Sequence, residues 1–342
     1  MSILSLIIVP QSSCKAFGVG TLFRNQQHCY KSEAATLSSL KMSSNSNNNN
    51  ADNDDKWSKT ADLYSNQASR LTELHGADLV TILKNDILKA KTILDIGGGT
   101  GAFAKAYIQQ FPNGIPGQTL ITTDLSPSML EKAKQSINVG SEFNTELIFQ
   151  EEDGTKLDGI PDSSIDIVVS LFGVFLIPDQ DATLTAIQRV LKKKNSNDSG
   201  IFANGSWMFN ISDYFSTKGF GVSLQDAFQV PILSINPDFD MDGVSYVKWS
   251  TREGVESILA NKCTSLYQYN SIHNTVWEIE QLWEMMVKNP MIGIDSSTSP
   301  ETIAKAKDDL AKFVSNGDAT ILDRPLMLST ASILSVARGF GK

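Results

Sequence analysis

Thr92 to Phe103 read TILDIGGGTGAF, and no other stretch narrows the fold of this chain so far. Thr92, Ile93, Leu94 and Ile96 form the β-branched and apolar run of a parallel strand buried on both faces. Gly97, Gly98, Gly99 and Gly101 then give a turn that side chains would obstruct. Glycine accepts positive φ and lets a ligand press on the backbone. The helix that follows offers unpaired N–H groups and a positive dipole end to an anion. The expected unit is strand, ligand loop, helix.

The pattern repeats downstream. A helix is expected from Ala102 to Phe111, ended by the loop PNGIPG. A second strand, Thr119 to Thr123, leads into Asp124. Ser126 as N-cap and Pro127 at the first helical position open a helix to about Asn138. A third strand, Glu146 to Gln150, runs into Asp153 and Gly154. A fourth, Ile165 to Leu171, is nearly all apolar, and a helix near Asp181 to Leu191 and a fifth strand, Gly200 to Phe209, follow. Upstream, helices are expected over 57–70 and 71–89, the second with Leu71, Leu74, Leu79, Val80, Leu83 and Ile87 at helical spacing. Strands alternating with helices imply an α/β, doubly wound, mostly parallel sheet with ligands at the carboxyl ends of its strands. The glycine loop, Asp124, Asp153 and Ser170 all fall at such ends.

Composition limits the partners. The formal net charge is -9, and the first 41 residues hold four basic residues against one acid, so the remainder stands near -12. Such a surface repels phosphate backbones, which excludes nucleic acid as the expected partner. The three cysteines, Cys14, Cys29 and Cys263, have neither CxxC nor metal-ligand spacing, which fits a reduced intracellular compartment. No stretch approaches the roughly 20 apolar residues of a membrane-spanning helix. Residues 1–32 lack acids and carry Ser and scattered basic residues, the composition of an organelle transit peptide, and SSNSNNNNADNDD at 43–55 reads as a polar linker. The expected division is 1–55 as a disordered or targeting segment and 56–342 as the folded domain, located in the cytoplasm or in a mitochondrion or plastid. Met42 as the true start is the alternative to a transit peptide.

From about Trp57 to Arg338 the chain resembles the class I S-adenosylmethionine-dependent methyltransferases, in particular the small-molecule group similar to the ubiquinone and menaquinone biosynthesis enzymes. LDIGGGTG matches the first motif of that family, DLSPSML the second, and EDGTKLDGIPDSSIDIVVS, residues 152–170, the third. The resemblance implies a seven-stranded Rossmann-like sheet with added helices forming a lid. It places a helix near 251–260, a strand near 265–272, a helix near 279–287 and a last strand near 332–338. It implies S-adenosyl-L-methionine as cofactor, with Gly97, Gly99 and Gly101 around its amino-acid part and Asp95 orienting the loop and the ammonium. Asp124 would take the ribose hydroxyls, Leu125 and Met129 would flank the adenine, Asp153 and Gly154 would meet its amino edge, and the Ser170 carbonyl would face the ammonium. Tyr64 matches a tyrosine that closes over the cofactor. A dinucleotide site is the rival for the loop, since Gly97, Gly99 and Ala102 also fit G-x-G-x-x-G/A. The third glycine at Gly101 and the acid at Asp95 favour the methyl donor, and no hydride-handling constellation is evident.

The acceptor is less constrained. Nucleic-acid amine methylases of this superfamily carry [ND]PP[YFW] after the fourth strand, where this chain has Ser170, Leu171, Phe172 and Gly173. A small organic acceptor is therefore expected, at oxygen or sulfur before nitrogen or carbon, with residues 210–250 and 274–320 as lid or insert. A macromolecular acceptor, or a module that binds cofactor without catalysis, are the other readings. His273, just after the expected sixth strand, and Asp213 and Tyr214, after the fifth, are the base or anchor candidates. DFDMDG at 238–243 opens like a calcium loop, but Trp249 stands where a bidentate Glu is needed, so no metal is expected.

Overall fold

The computed structural model describes residues 69–193, 200–209, 221–239, 246–289 and 292–341, all within one compact unit, Asn48–Lys342. Tyr64, Asp213, Tyr214, the expected helix at 57–68 and most of DFDMDG lie outside these residues. In chain order the elements are α1 Ser69–Ile87, β1 Thr92–Ile96, α2 Ala102–Gln110, β2 Thr119–Asp124, α3 Pro127–Ser136, β3 Glu146–Glu151, β4 Ile167–Leu171, α4 Gln180–Val190 and β5 Ile201–Trp207. There follow β6 Val222–Ser223, α5 Leu224–Ile235, α6 Tyr246–Trp249, α7 Arg252–Leu259, β7 Ser265–Trp277, α8 Ile279–Val287, α9 Pro300–Val314 and β8 Leu326–Arg338. Among the described residues no helix is long and apolar enough to cross a membrane.

One sheet runs β3-β2-β1-β4-β5-β8-β6, with β7 paired to β8. The five strands β1 to β5 are parallel, and β8 lies antiparallel to both β5 and β7. The doubly wound, mostly parallel α/β sheet is as expected, but it has eight strands instead of seven. The extra strand is the two-residue β6, which pairs with Leu328 and Ser329 of β8 beyond the end of β5. Two strands are longer than the resemblance implied: β7 continues to Trp277 and β8 begins at Leu326. Cross-strand pairing over all 13 residues of β7 holds them extended. The expected break at residues 70 and 71 falls inside α1.

The core follows from the sequence pattern. Leu79, Val80, Leu83 and Ile87 on α1 are fully buried with Ile93 and Leu94 of β1 and Val168 and Val169 of β4. Each such side chain contributes about 1.5–3 kcal/mol of burial free energy. A second apolar cluster gathers Leu224, Trp277, Leu282, Met286, Leu310 and Leu328 from α5, α8, α9 and the far ends of β7 and β8. Ser126, Asp179, Ser223, Thr251 and Ser299 each cap a helix by accepting a backbone N–H.

Candidate cofactor site at the strand ends

The site grows out of β1. After Ile96 the chain enters Gly97 at φ 63, where a side chain would lie 3.1 Å from Gly173 Cα. A Cβ on Gly98 would meet Thr122 Cγ2 at 2.4 Å and Asp95 Oδ2 at 2.8 Å, so the loop can lie on the sheet only with glycine there. The Gly98 N–H donates to Thr123 O at 2.8 Å and the Gly99 N–H to Asp124 Oδ2, also at 2.8 Å. α2 then starts on Gly101, at φ 86, with no side-chain cap and no acid in its first turn. Its first N–H groups are left for something other than the chain.

A cavity of about 470 Å³ opens over this loop. Gly97, Gly99, Asp124, Leu125, Met129, Asp153 and Gly154 line it, so seven expected site residues from three strand ends meet on one space. Asp124 is aimed by the Gly99 N–H and by the Ser126 N–H, which donates to Oδ1 at 3.0 Å. Asp153 Oδ1 accepts from the Thr155 N–H and hydroxyl, and Lys156 lies 2.9 Å from Oδ2. Burial works against its ionisation, but these hydrogen bonds and the lysine hold its carboxyl below the usual range. Gly154 is bounded by Ile177 and Ile96, at 2.7 and 3.2 Å from where a Cβ would stand.

Other expected residues fall elsewhere. Gly101, Asp95 and Ser170 do not line the cavity. Asp95 lies beneath Gly98, 0% exposed, and neither of its carboxylate oxygens has a hydrogen-bond partner. Burial, and then the charge of Asp124, push its pKa up to about 8. Buried Thr100 Oγ1 is also without a partner. Ser170 is fully buried, and its hydroxyl donates to Ile96 O at 2.9 Å and accepts from the Val174 N–H. His273 sits within β7, not after a strand, and its Nε2 is 3.0 Å from Asp78 Oδ2; it does not line the cavity.

Sequence reasoning missed Phe172 as a wall of the cavity. It adopts φ 64, a left-handed conformation that costs a bulky residue about 1–3 kcal/mol. Its ring stacks on Trp207 at 3.7 Å and 11°. Thr72 and Asp179 also line the cavity and carry no sequence motif. Glycine turns and strand-end acids can be read from spacing, whereas a wall made by α1 and the β4 turn needs the fold.

The residues suit a cationic amino-acid nucleoside. The cavity has the volume of a small-ligand site. A Cβ on Gly99 would face open space, an uncapped helix start meets the same loop, and the orphaned Asp95 carboxyl lies below it. Among the described residues that line the cavity none is basic, while Asp124, Glu152, Asp153 and Asp179 are acidic.

Comparison with known proteins agrees with this geometry. Residues 94–195 match the methyltransferase domain family. The chain is 32% identical over 113 residues to the ubiquinone/menaquinone biosynthesis C-methyltransferase UbiE of Francisella tularensis, covering 33% of this chain and 43% of that one. It is 27% identical over 150 residues to the protein of that name from Pseudoalteromonas translucida, covering 40% and 57%. The match thus spans about half the length of these curated relatives or less. Among solved structures, the YcgJ protein of Bacillus subtilis aligns at 18% identity and a TM-score of 0.45, over 75% of this chain and 97% of that one. The matched segment, residues 94–195, runs from β1 through the end of α4, so the stretch that builds the cavity is similar to the methyltransferase domain family.

Proposed function

We propose that the protein transfers a methyl group from S-adenosyl-L-methionine to a small organic acceptor. The observation that carries this reading is the cavity over the glycine loop, with Asp124 and Asp153 on its walls and the unpartnered Asp95 carboxyl under its floor. When bound, the cofactor supplies a methyl group activated on a sulfonium. Gly97, Gly99 and Gly101 receive its amino-acid part, and Asp95 stabilises the ammonium charge from beneath. Asp124, aimed by the Gly99 and Ser126 N–H groups, accepts from the ribose hydroxyls. Leu125 and Met129 flank the adenine, Asp153 and Gly154 meet its amino edge, and the Ser170 carbonyl adds an acceptor for the ammonium. Tyr64 closes over the site. In-line displacement asks the protein chiefly to align donor and acceptor and to exclude water.

The acidic lining, free of basic side chains among its described residues, disfavours anionic acceptors and nucleic acid. The acceptor of this proposal is a small molecule without negative charge, methylated at oxygen or sulfur. Where the acceptor needs a base or a polar anchor, Asp213, Tyr214 or His273 supplies it; His273 is held by Asp78 outside the described cavity lining, so it reaches the acceptor only beyond that lining. The segments 210–250 and 274–320 form its lid, a reading supported by the second apolar cluster that they build with β8. Residues 1–55 are a targeting or linker segment apart from the domain at 56–342. A second reading, methylation at an activated carbon, is favoured by the name of the 32% identical relative.

Calorimetry with S-adenosylmethionine tests the cofactor site. Asp124→Ala loses charge-assisted hydrogen bonds and weakens binding by about 2–3 kcal/mol. No binding to the parent, or unchanged affinity in the variant, sinks the assignment. Incubating the parent with a metabolite extract and methyl-labelled donor identifies the acceptor, and the product's carbon spectrum distinguishes an O-methyl from a C-methyl group.

A further inference from the structure

His75, on α1, is fully buried and does not line the cavity. Three hydroxyls from the two long strands surround it. Nδ1 lies 2.6 Å from Ser271 Oγ and 3.0 Å from Ser332 Oγ, and Nε2 lies 3.2 Å from Thr330 Oγ1. Proton counting fixes the tautomer. Ser271 Oγ is also 2.6 Å from Asp78 Oδ2, and a serine has one proton for two contacts this short. The Asp78 carboxyl is held below its usual range by hydrogen bonds from His273 and Ser271 that outweigh its burial, so it is ionised and can only accept. Ser271 therefore donates to Asp78, and the second proton is His75 Nδ1–H donating to Ser271. Nε2 then accepts from the Thr330 hydroxyl, which in turn accepts from Gln225 Nε2–H at 2.7 Å. Burial, with His273 nearby, holds the His75 pKa down to about 3, in keeping with an uncharged ring.

With both nitrogens tied, the imidazole cannot rotate. It meets the His273 ring edge-on at 5.0 Å and 77°, and two further rings in the same way: Phe172 at 5.6 Å and 76°, and Trp207 at 5.2 Å and 81°. Those two rings are the stacked pair, and Phe172 is the left-handed residue in the cavity wall. The next residue, Gly173, lies so close to the loop that a Cβ on it would be 2.8 Å from Ile96 O and 3.2 Å from Gly97 Cα. A shift at Phe172 is thereby a shift at the glycine loop.

We propose that His75 is a positioning residue for the cofactor site: fixed by the hydroxyls of β7 and β8, it braces the Phe172–Trp207 stack and so keeps Phe172 in its left-handed conformation against the cavity. The proposal rests on the cofactor reading above, and its function is to transmit the register of the far strands to the loop. A hydrophobic residue of similar size would leave Ser271, Thr330 and Ser332 without their shared partner and the ring free to turn.

A double-mutant cycle in the full-length protein tests it, with S-adenosylhomocysteine as calorimetric probe at 25 °C. His75→Ala is expected to weaken binding about tenfold, the size of the lost ring contacts. Phe172→Gly, for which a left-handed backbone is relaxed, also weakens it. The double variant binds no worse than Phe172→Gly alone. Unchanged affinity in a folded His75→Ala protein, or effects that multiply in the double variant, overturns the proposal. Nitrogen-15 spectra of the parent need no variant: the His75 proton belongs on Nδ1, and a proton on Nε2 overturns the assignment. If the parent does not bind the probe, the cofactor reading fails. The brace is then read from the near-ultraviolet circular dichroism of Trp207, taken as the difference from Trp207→Leu. His75→Ala changes that band, and an unchanged band refutes the brace.

Discussion

Asp95 and Asp78 are two carboxyl groups in one domain with opposite surroundings. Asp95 has no exposed surface and no hydrogen-bond partner for either oxygen. Asp78 keeps 18% of its side chain exposed, and its Oδ2 takes donors from Ser271 and His273 at 2.6 and 3.0 Å. Burial pushes the first up to about 8, whereas hydrogen bonds hold the second down against burial. The difference teaches how to read a buried acid. A carboxyl that the chain has satisfied serves the fold, and one left unsatisfied under a glycine loop is where the proposed cofactor site is to be tested first.

The comparison breaks most sharply at Asp95→Asn. In the ligand-free protein the change removes a carboxyl that has no partner, so the melting temperature holds or rises. The affinity for S-adenosylmethionine is expected to fall about a hundredfold, the loss of one desolvated charge interaction of about 2.7 kcal/mol. Because the folded pKa of Asp95 lies above its unfolded value of 3.8, the folded state binds the extra proton. Stability from this group is present below about pH 4 and is lost as pH rises through about 8. Asp95→Asn should flatten that slope in urea titrations run across the window. Binding a cation over Asp95 ionises it, so calorimetry of the parent at pH 7 in buffers of different ionisation enthalpy should report release of about one proton, absent in the variant. If the variant binds as tightly as the parent, the contrast between the two acids fails.

Ser271→Ala probes the satisfied side and carries a smaller expected effect. It strips Asp78 of one donor and the His75 Nδ1–H of its acceptor, a loss of about 1–3 kcal/mol in unfolding free energy by urea denaturation. A loss below 0.5 kcal/mol, on the order of an ordinary surface change, would mean that the cluster is not what satisfies Asp78. The smallest effect belongs to Lys312→Ala, at the exposed Asp308 pair on α9. Both side chains are more than half exposed, so the urea midpoint and the cofactor affinity should both stay at the parent's values.

The two regions differed as much in legibility. The glycine loop, Asp124, Asp153 and Gly154 could be read because each closes a short strand and the chemistry of each is local to a few residues. Ser271, Thr330 and Ser332 stand 196, 255 and 257 positions from the histidine they hold, and a lone serine in a strand announces nothing. The start of β8 was hidden for a related reason: Leu326 to Ala331 lack a long apolar run, and pairing to β7 and β6 makes them strand. His273 was noticed as a histidine, but its place inside β7 and its carboxylate partner depend on that same pairing.

The missing cap on α2 carries one more consequence. α3, α4, α5, α7 and α9 each enclose their first turn with a side chain of their own, whereas α2 opens on Gly101 with none. Its leading amides are free to fray and to trade hydrogen for deuterium until a bound carboxylate closes the turn. Cofactor would then act as the last structural element of its own domain, and the exchange rates of Ala102 and Phe103 would count the fraction of molecules that hold it.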